Sequence, residues 1–225
     1  MILFPTNRRN LLARGLTLGA AAPLLGACEG LRLGGPPPDL FTLAPKYRFD
    51  PNLPKVDWQL VIEEPLSSGA LDTNRIAVRP TQFELKYWAE ARWTERAPRM
   101  VQTVLIESFE NTGKIVAVGR QAVGLRSDYN LKSELREFEL DLYRDPNRPQ
   151  ARVRLNLKMV RMPREQIIAS ASFQNAEPAR SLNLPDVIEA FNEAINKVLR
   201  RVVEWTLLAP TRAPGDQPGG DPPAD

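Results

Sequence analysis

Glu137-Phe138-Glu139-Leu140-Asp141-Leu142, the turn Asp145-Pro146-Asn147-Arg148-Pro149, and Arg152-Val153-Arg154-Leu155-Asn156-Leu157-Lys158 decide the fold of this chain. Apolar residues occupy every second position on both sides of the turn, the period of a half-buried strand. Folding the two runs about the turn sets Phe138 opposite Leu157, Leu140 opposite Leu155 and Leu142 opposite Val153. The same register sets Asp141 against Arg154 and Glu137 against Lys158, so apolar pairs share one face and opposite charges the other. A second turn at Pro163-Arg164-Glu165 leads to a third strand, with Ile167, Ala169, Ala171 and Phe173 expected on the buried face. The reading is an antiparallel meander.

Working outward, a helix starts near Pro185-Asp186, with Ile188, Phe191, Ile195, Val198, Val202 and Trp205 recurring at steps of three and four. Such a stripe covers a sheet, with an inter-subunit seam as the alternative and homo-oligomerisation left open. Upstream, Thr94 is placed to cap an earlier helix, with Glu95 in its first turn and Pro98 tolerated that early. The inward stripe of this helix is Val101, Val104, Leu105 and Phe109, and Asn111-Thr112-Gly113 ends it, with Gly113 suited to a left-handed cap. Short strands are expected at Leu40–Leu43, Trp58–Ile62 and Arg75–Val78, the last ended by Pro80. Phe83–Trp88 forms a further strand, with Phe83, Leu85 and Tyr87 on one side. Ile115–Val118 reads as a buried strand and Leu125–Asn130 as a loop. The fold class is α+β: a mostly antiparallel sheet with two main helices packed on one face.

The chain has no histidine and one cysteine. The first absence removes the commonest general base and metal ligand, and with them every Ser-His-Asp or Cys-His arrangement. The second excludes an intrachain disulfide. Glu63-Glu64 and Glu137/Glu139/Asp141 could in principle serve a glycosidase or a cation. Strand parity instead puts the second set on a solvated face with basic partners. Val118-Gly119-Arg120 is a strand end and not a phosphate loop, and the strands are too few for an outer-membrane barrel. No catalytic residue, metal ligand or cofactor site is assigned.

The lone cysteine closes Leu25-Gly26-Ala27-Cys28, which resembles the lipobox of bacterial lipoproteins. Arg8, Arg9 and Arg14 form a positive block, and Gly15–Ala27 an apolar block ending in small residues, the order of an export leader. The apolar run is too short to span a bilayer and contains Pro23; a buried helix with an incidental thiol is the competing reading. Asn7-Arg8-Arg9-Asn10-Leu11-Leu12 resembles a twin-arginine signal, with Sec export also open. The resemblance implies cleavage before Cys28, a covalent lipid on its thiol, and a periplasmic domain on an anchor. Glu29 after the cysteine favours outer-membrane sorting in that family. Loss of residues 1–27 removes three arginines and no acid from the 30 basic and 27 acidic side chains. The mature chain is then formally neutral, which argues against nucleic acid as a partner. Residues 28–39 read as a lipidated tether with three consecutive prolines, 40–209 as the folded domain, and 210–225 as a disordered tail.

Within the domain, Leu71-Asp72-Thr73-Asn74-Arg75-Ile76-Ala77-Val78, Phe83-Glu84-Leu85 and Ala91-Arg92-Trp93 before the helix resemble the ABC-type transport auxiliary lipoproteins of PqiC type. Phe41-Thr42-Leu43 stands where that family has a Tyr-x-Leu strand after the lipidated cysteine, and Thr94 separates Trp93 from the acidic residue that follows. The resemblance implies an auxiliary role in phospholipid transport. The partners it implies are an MCE-domain substrate-binding protein, an ABC permease and an ATPase. Trp93 is singled out as a family-motif residue, read either as a core anchor or as a lipid contact. Two other functions remain open: a lipid carrier with its own hydrophobic cavity, and an envelope assembly lipoprotein unrelated to transport.

Overall fold

The computed structural model describes residues 37–121 and 126–211. Leu25, Gly26, Ala27 and Cys28 lie outside the described residues, as do the leader and everything past Thr211. Nine strands and two α-helices follow in the order β1 (Asp39–Phe41), β2 (Val56–Ile62), β3 (Leu66–Ser67), β4 (Arg75–Thr81), β5 (Glu84–Trp93), α1 (Ala97–Glu110), β6 (Ile115–Gly119), β7 (Tyr129–Asp141), β8 (Gln150–Arg161), β9 (Gln166–Pro178) and α2 (Leu184–Leu208). A short 3-10 turn, Ala209–Thr211, follows α2 and takes in the first residues of the expected tail.

All nine strands join one sheet organised on β7. One edge of β7 pairs antiparallel with β8 along its length, and β8 pairs antiparallel with β9. The other edge takes three parallel partners in succession: β2 at 129–131, β3 at 134–135 and β4 at 139–141. Beyond β4 lie β5, antiparallel, and β1, parallel to β5; beyond β2 lies β6.

The meander forms with its faces as expected but in another register. Phe138 lies opposite Val153, Leu140 opposite Ala151, and Glu137 opposite Arg154. The turn accounts for the difference. Asp141 Oδ1 accepts the backbone N–H groups of Tyr143 and Arg144, so pairing stops at Asp141–Gln150 and Leu142 leaves the ladder. The slip is an even number of residues, so no side chain changes face. A shift at Arg136 then reverses the parity, and Leu131 and Leu135 face the core together with Phe138 and Leu140. A second irregularity at Ile168 has the opposite consequence for Ile167, which is 53% exposed and not on the buried face.

Both helices pack on the inner face around one core. Val101, Val104, Leu105 and Phe109 of α1 are buried, as are Phe191, Ile195, Val198, Val202 and Trp205 of α2. The α2 stripe packs on β8 and β9, so it covers the sheet and does not present a seam. Each such side chain contributes about 1.5–3 kcal/mol relative to exposure. Gly113, at φ 60°, closes α1 as expected. Thr94 does not cap α1: its N–H bonds to the Phe41 carbonyl, and Arg96 is the N-cap residue, with Pro98 in the first turn. Pro80 lies within β4 and does not end it. Phe83 belongs to the β4–β5 turn and is 91% exposed, apart from Leu85 and Tyr87. β6 is an edge strand with Val116 exposed, not a buried one, and Tyr129–Asn130 belong to β7, not to a loop.

The start of α2 yields a pH prediction. The Ser181 hydroxyl donates to Asp186 in the first turn at 2.6 Å, and Arg180 Nε donates to the same carboxylate at 3.1 Å. Ser181 foremost, with Arg180 adding to it, holds the Asp186 carboxyl below its ordinary value. A depressed folded-state value stabilises the fold above the unfolded-state pKa, and that contribution is lost as pH falls through the folded one. Ser181→Ala should move the Asp186 midpoint upward in an NMR titration of the carboxyl carbon. An unmoved midpoint would remove the hydroxyl as the cause.

Candidate functional site

Of the residues quoted for the family resemblance, Phe41, Asn74 and Ala91–Trp93 meet at the junction of β1, β4, β5 and α1, whereas Phe83-Glu84-Leu85 lies at the other end of the β4–β5 hairpin. Phe41 is the parallel register partner of Trp93. The Trp93 N–H bonds to the Asn74 carbonyl, Thr94 N–H to Phe41 and Ala97 N–H to Thr73. The motifs other than Phe83–Leu85 thus form one place in the fold, where β1 is built into the domain.

Trp93 is the centre of this place and has no exposed surface. Its ring lies 5.4 Å from Phe138 and 5.3 Å from Phe191, which are themselves 5.2 Å apart. The triad ties β5, β7 and α2 together at distances suited to edge and offset ring contacts. Trp93 Nε1 has no hydrogen-bond partner. Buried this way, Trp93 is a core anchor and not a lipid contact.

The segment after β1 is strapped across both helices. The Ala44 N–H donates to Asn192 Oδ1 of α2 at 2.9 Å, and Asn196 Nδ2 donates to the Ala44 carbonyl at 3.1 Å. Two residues on, the Lys46 N–H donates to Ser108 Oγ of α1 at 2.9 Å, and Asn111 Nδ2 donates to the Lys46 carbonyl at 3.1 Å. Leu43, between Phe41 and these clamps, is buried. β1 is thus held by its pairing with β5, and the segment that follows it by hydrogen bonds to both helices. That arrangement suits a mechanical attachment; it brings no nucleophile and base together.

Over the same junction, Arg96 pairs with Glu64 at 2.6 Å and with Asp72. The two carboxylates, Glu64 foremost, hold the guanidinium above its ordinary value although about half of the side chain is open to solvent. Glu63 instead meets Asn130 Nδ2 at 3.2 Å and Lys132 at 3.6 Å. The Glu63-Glu64 pair is thus divided between separate ion pairs, a structural use of charge.

The other acidic set departs from expectation. Glu137, Glu139 and Asp141 do lie on the face opposite the helices, but Glu139 and Asp141 are 4% and 3% exposed, and Arg152 beside them 7%. This face is not solvated here, because neighbouring strands bring guanidinium groups over the carboxylates. Arg79 donates to both Glu139 oxygens, Arg144 reaches Asp141 at 2.8 Å, and Arg154 and Arg152 reach Glu137 at 2.7 and 3.3 Å. The Glu139 bond, followed by its charge, raises the Arg79 guanidinium above its ordinary value against the cost of burial. Sequence parity places these acids on the outer face; only the parallel approach of β4 to β7 reveals that Arg79 covers them.

No group of three or more potential metal-ligating side chains occurs among the described residues. No helix among them is long and apolar enough to cross a membrane.

The fold is an α+β module with its first strand built into the sheet beside β5. The chain belongs to the family described as the ABC-type transport auxiliary lipoprotein component, whose profile matches residues 41–203. A crystal structure of a Xanthomonas campestris protein assigned to DUF330 is similar at 33% identity and a TM-score of 0.72, covering 76% of this chain and 96% of that one. A second solved structure, of an uncharacterized protein, shares the fold at 12% identity with a TM-score of 0.58, over 76% of this chain and 99% of that one. An uncharacterized protein of Bradyrhizobium diazoefficiens is 25% identical over 189 residues, 83% of this chain; the match spans 50% of that relative's length.

Proposed function

We propose that the protein is a lipid-anchored periplasmic component of an MCE-type ABC lipid transport system, docking the MCE assembly at a membrane, the outer membrane by the residue after its cysteine. Its role is positional and not catalytic. The observation that carries this reading is the strap from Phe41 to Lys46. A domain whose first strand is paired with β5, and whose next residues are hydrogen-bonded to both helices, is built to hold position through that end. Leu25-Gly26-Ala27-Cys28 supplies the matching anchor, with the thiol carrying a diacylglyceryl group and the new amine an acyl chain. Two signals of this kind exceed the threshold for stable anchoring, at about 0.8 kcal/mol per buried methylene. Confinement to one membrane raises the effective concentration for a partner there. The MCE substrate-binding protein, the permease and the ATPase are the partners this reading names.

The Trp93–Phe138–Phe191 triad fills the space between sheet and α2, which supports a docking module over a carrier holding lipid in its own core. The test begins with Cys28→Ser in the full chain. The variant should lose palmitate incorporation and move from the membrane to the soluble envelope fraction. Affinity capture of the anchored wild type should recover an MCE-domain protein. Unchanged fractionation of Cys28→Ser would overturn the anchor; capture without any transporter subunit, with the anchor intact, would overturn the transport assignment.

A further inference from the structure

We infer that one end of the sheet, tipped by Phe83, rests in the interface of the lipid bilayer that holds the anchor. The inference depends on the Cys28 anchor proposed above and adds which surface meets the membrane.

Three connections emerge side by side at this end. Arg79 pairs with Asp141 across β4 and β7, and Gln150 pairs with both Asp141 and Pro178 across the meander. The chain beyond those residues therefore forms the β4–β5 turn, the 142–149 loop and the approach to α2 as neighbours. Each presents a large apolar side chain to solvent: Phe83 at 91%, Tyr143 at 41% and Leu182 at 51% exposure. Beside them an apolar cleft of about 410 Å³ is lined by Val78, Pro80, Trp88, Leu140, Leu142 and Leu182, together with Lys86, which pairs with Glu84 at 2.9 Å. An aromatic tip, a tyrosine and an exposed leucine around an apolar cleft form a residue set that settles at headgroup depth.

The direction of the N-terminal strand selects the occupant. β1 runs parallel to β5, with Asp39 beside Ala91, so the chain preceding Asp39 arrives from the side of the Phe83 turn. Pro37 and Pro38 have fixed φ angles that oppose an immediate reversal. From Ala91 to Glu84 at the turn is about 23 Å of strand. Glu29–Pro37, the residues between Cys28 and Pro38, reach at most about 30 Å. That reach sets the greatest distance at which a bilayer holding Cys28 can stand from Pro38. Within that distance, the end of the sheet on the side from which β1 is entered is the one that presents Phe83, Tyr143 and Leu182, so the occupant is the bilayer that takes the acyl chains.

The experiment uses the full chain, exported and acylated, in vesicles of phosphatidylethanolamine and phosphatidylglycerol doped with a doxyl-labelled lipid. Cys28 is blocked by its lipid, so Phe83→Cys and, separately, Val116→Cys at the opposite end of the sheet can be labelled with nitrobenzoxadiazole. Both positions are exposed, and neither substitution opens the core. The Phe83 probe should shift to shorter wavelength and lose about half of its emission to the doxyl lipid, the depth expected of an interfacial side chain. The Val116 probe should be unaffected. Quenching at neither position, in protein that still floats with the vesicles, overturns the inference while the anchor stands, and leaves the Phe83 end to a protein partner or a second copy. Equal quenching at both overturns the orientation. Protein that fails to float, with Cys28→Ser behaving the same, brings down the anchor reading and this inference with it.

Discussion

Trp93→Ala is expected to lower the unfolding free energy by about 3–5 kcal/mol, the range for truncating a fully enclosed aromatic ring. The magnitude follows from what the indole touches. Phe138 comes from the central strand and Phe191 from α2, and both rings lie within 5.5 Å of it. Alanine would leave them facing a void that a sheet and a helix cannot close by small movements. Trp93→Phe should cost much less than Trp93→Ala, because it keeps an aromatic ring in the triad and removes an indole N–H that has no partner. Urea titration followed by circular dichroism measures both variants, with the transition midpoint falling and its slope unchanged. A loss below about 1 kcal/mol for the alanine variant would mean that the triad is not the keystone of the junction. It would reopen the reading of Trp93 as a lipid-facing residue.

How far the sequence reveals this molecule depends on how local each feature is. The stripes of both helices and the parity of Phe138–Leu140 and Val153–Leu157 need only spacing within one element, and they appear where expected, whereas Ile167 does not. The register of the meander depends on how its turn closes, and the Asx-type bonds from Asp141 to the N–H groups of Tyr143 and Arg144 move it without changing any face. Bulges are less visible again. At Arg136 the apolar residues change from odd to even positions, a signal present in Leu131, Leu135, Phe138 and Leu140 once β7 is seen to be continuous. The parallel contacts that β2, β3 and β4 make with β7 join segments that share no turn. β3, with two residues, is too short to carry a period. For the site, Trp93 and Phe41 could be selected from their order in the chain, but their direct register pairing could not. The clamps at Ala44 and Lys46 use backbone groups, and their partners Asn192, Asn196, Ser108 and Asn111 have no distinguishing pattern in one dimension.

Arg79→Met should destabilise the protein by about 3–5 kcal/mol, the cost of leaving a buried carboxylate without its counter-ion. Glu139 is the reason. Its side chain is 5% exposed, both its oxygens accept from Arg79, and it projects from the strand to which every other part of the sheet is joined. The remaining guanidinium groups are engaged elsewhere: Arg144 with Asp141, Arg154 with Glu137, and Arg152 between Glu137 and Asp141. Arg152 stands opposite Glu139 in the ladder, but its Nε is directed at Glu137 and Asp141. The reverse truncation, Glu139→Leu, should be milder, because Arg79 is 30% exposed and can hydrate once released. The double variant Arg79→Met/Glu139→Leu is expected to recover most of the loss of Arg79→Met, since replacing both members of a buried pair with apolar groups avoids the stranded charge. A double-mutant cycle by urea unfolding measures the coupling, which should exceed about 1 kcal/mol. If the two single losses simply add, Glu139 is hydrated in solution and the outer face is a wet surface after all. If the cycle closes as expected, ion pairs seal this side of the sheet much as the helices seal the other.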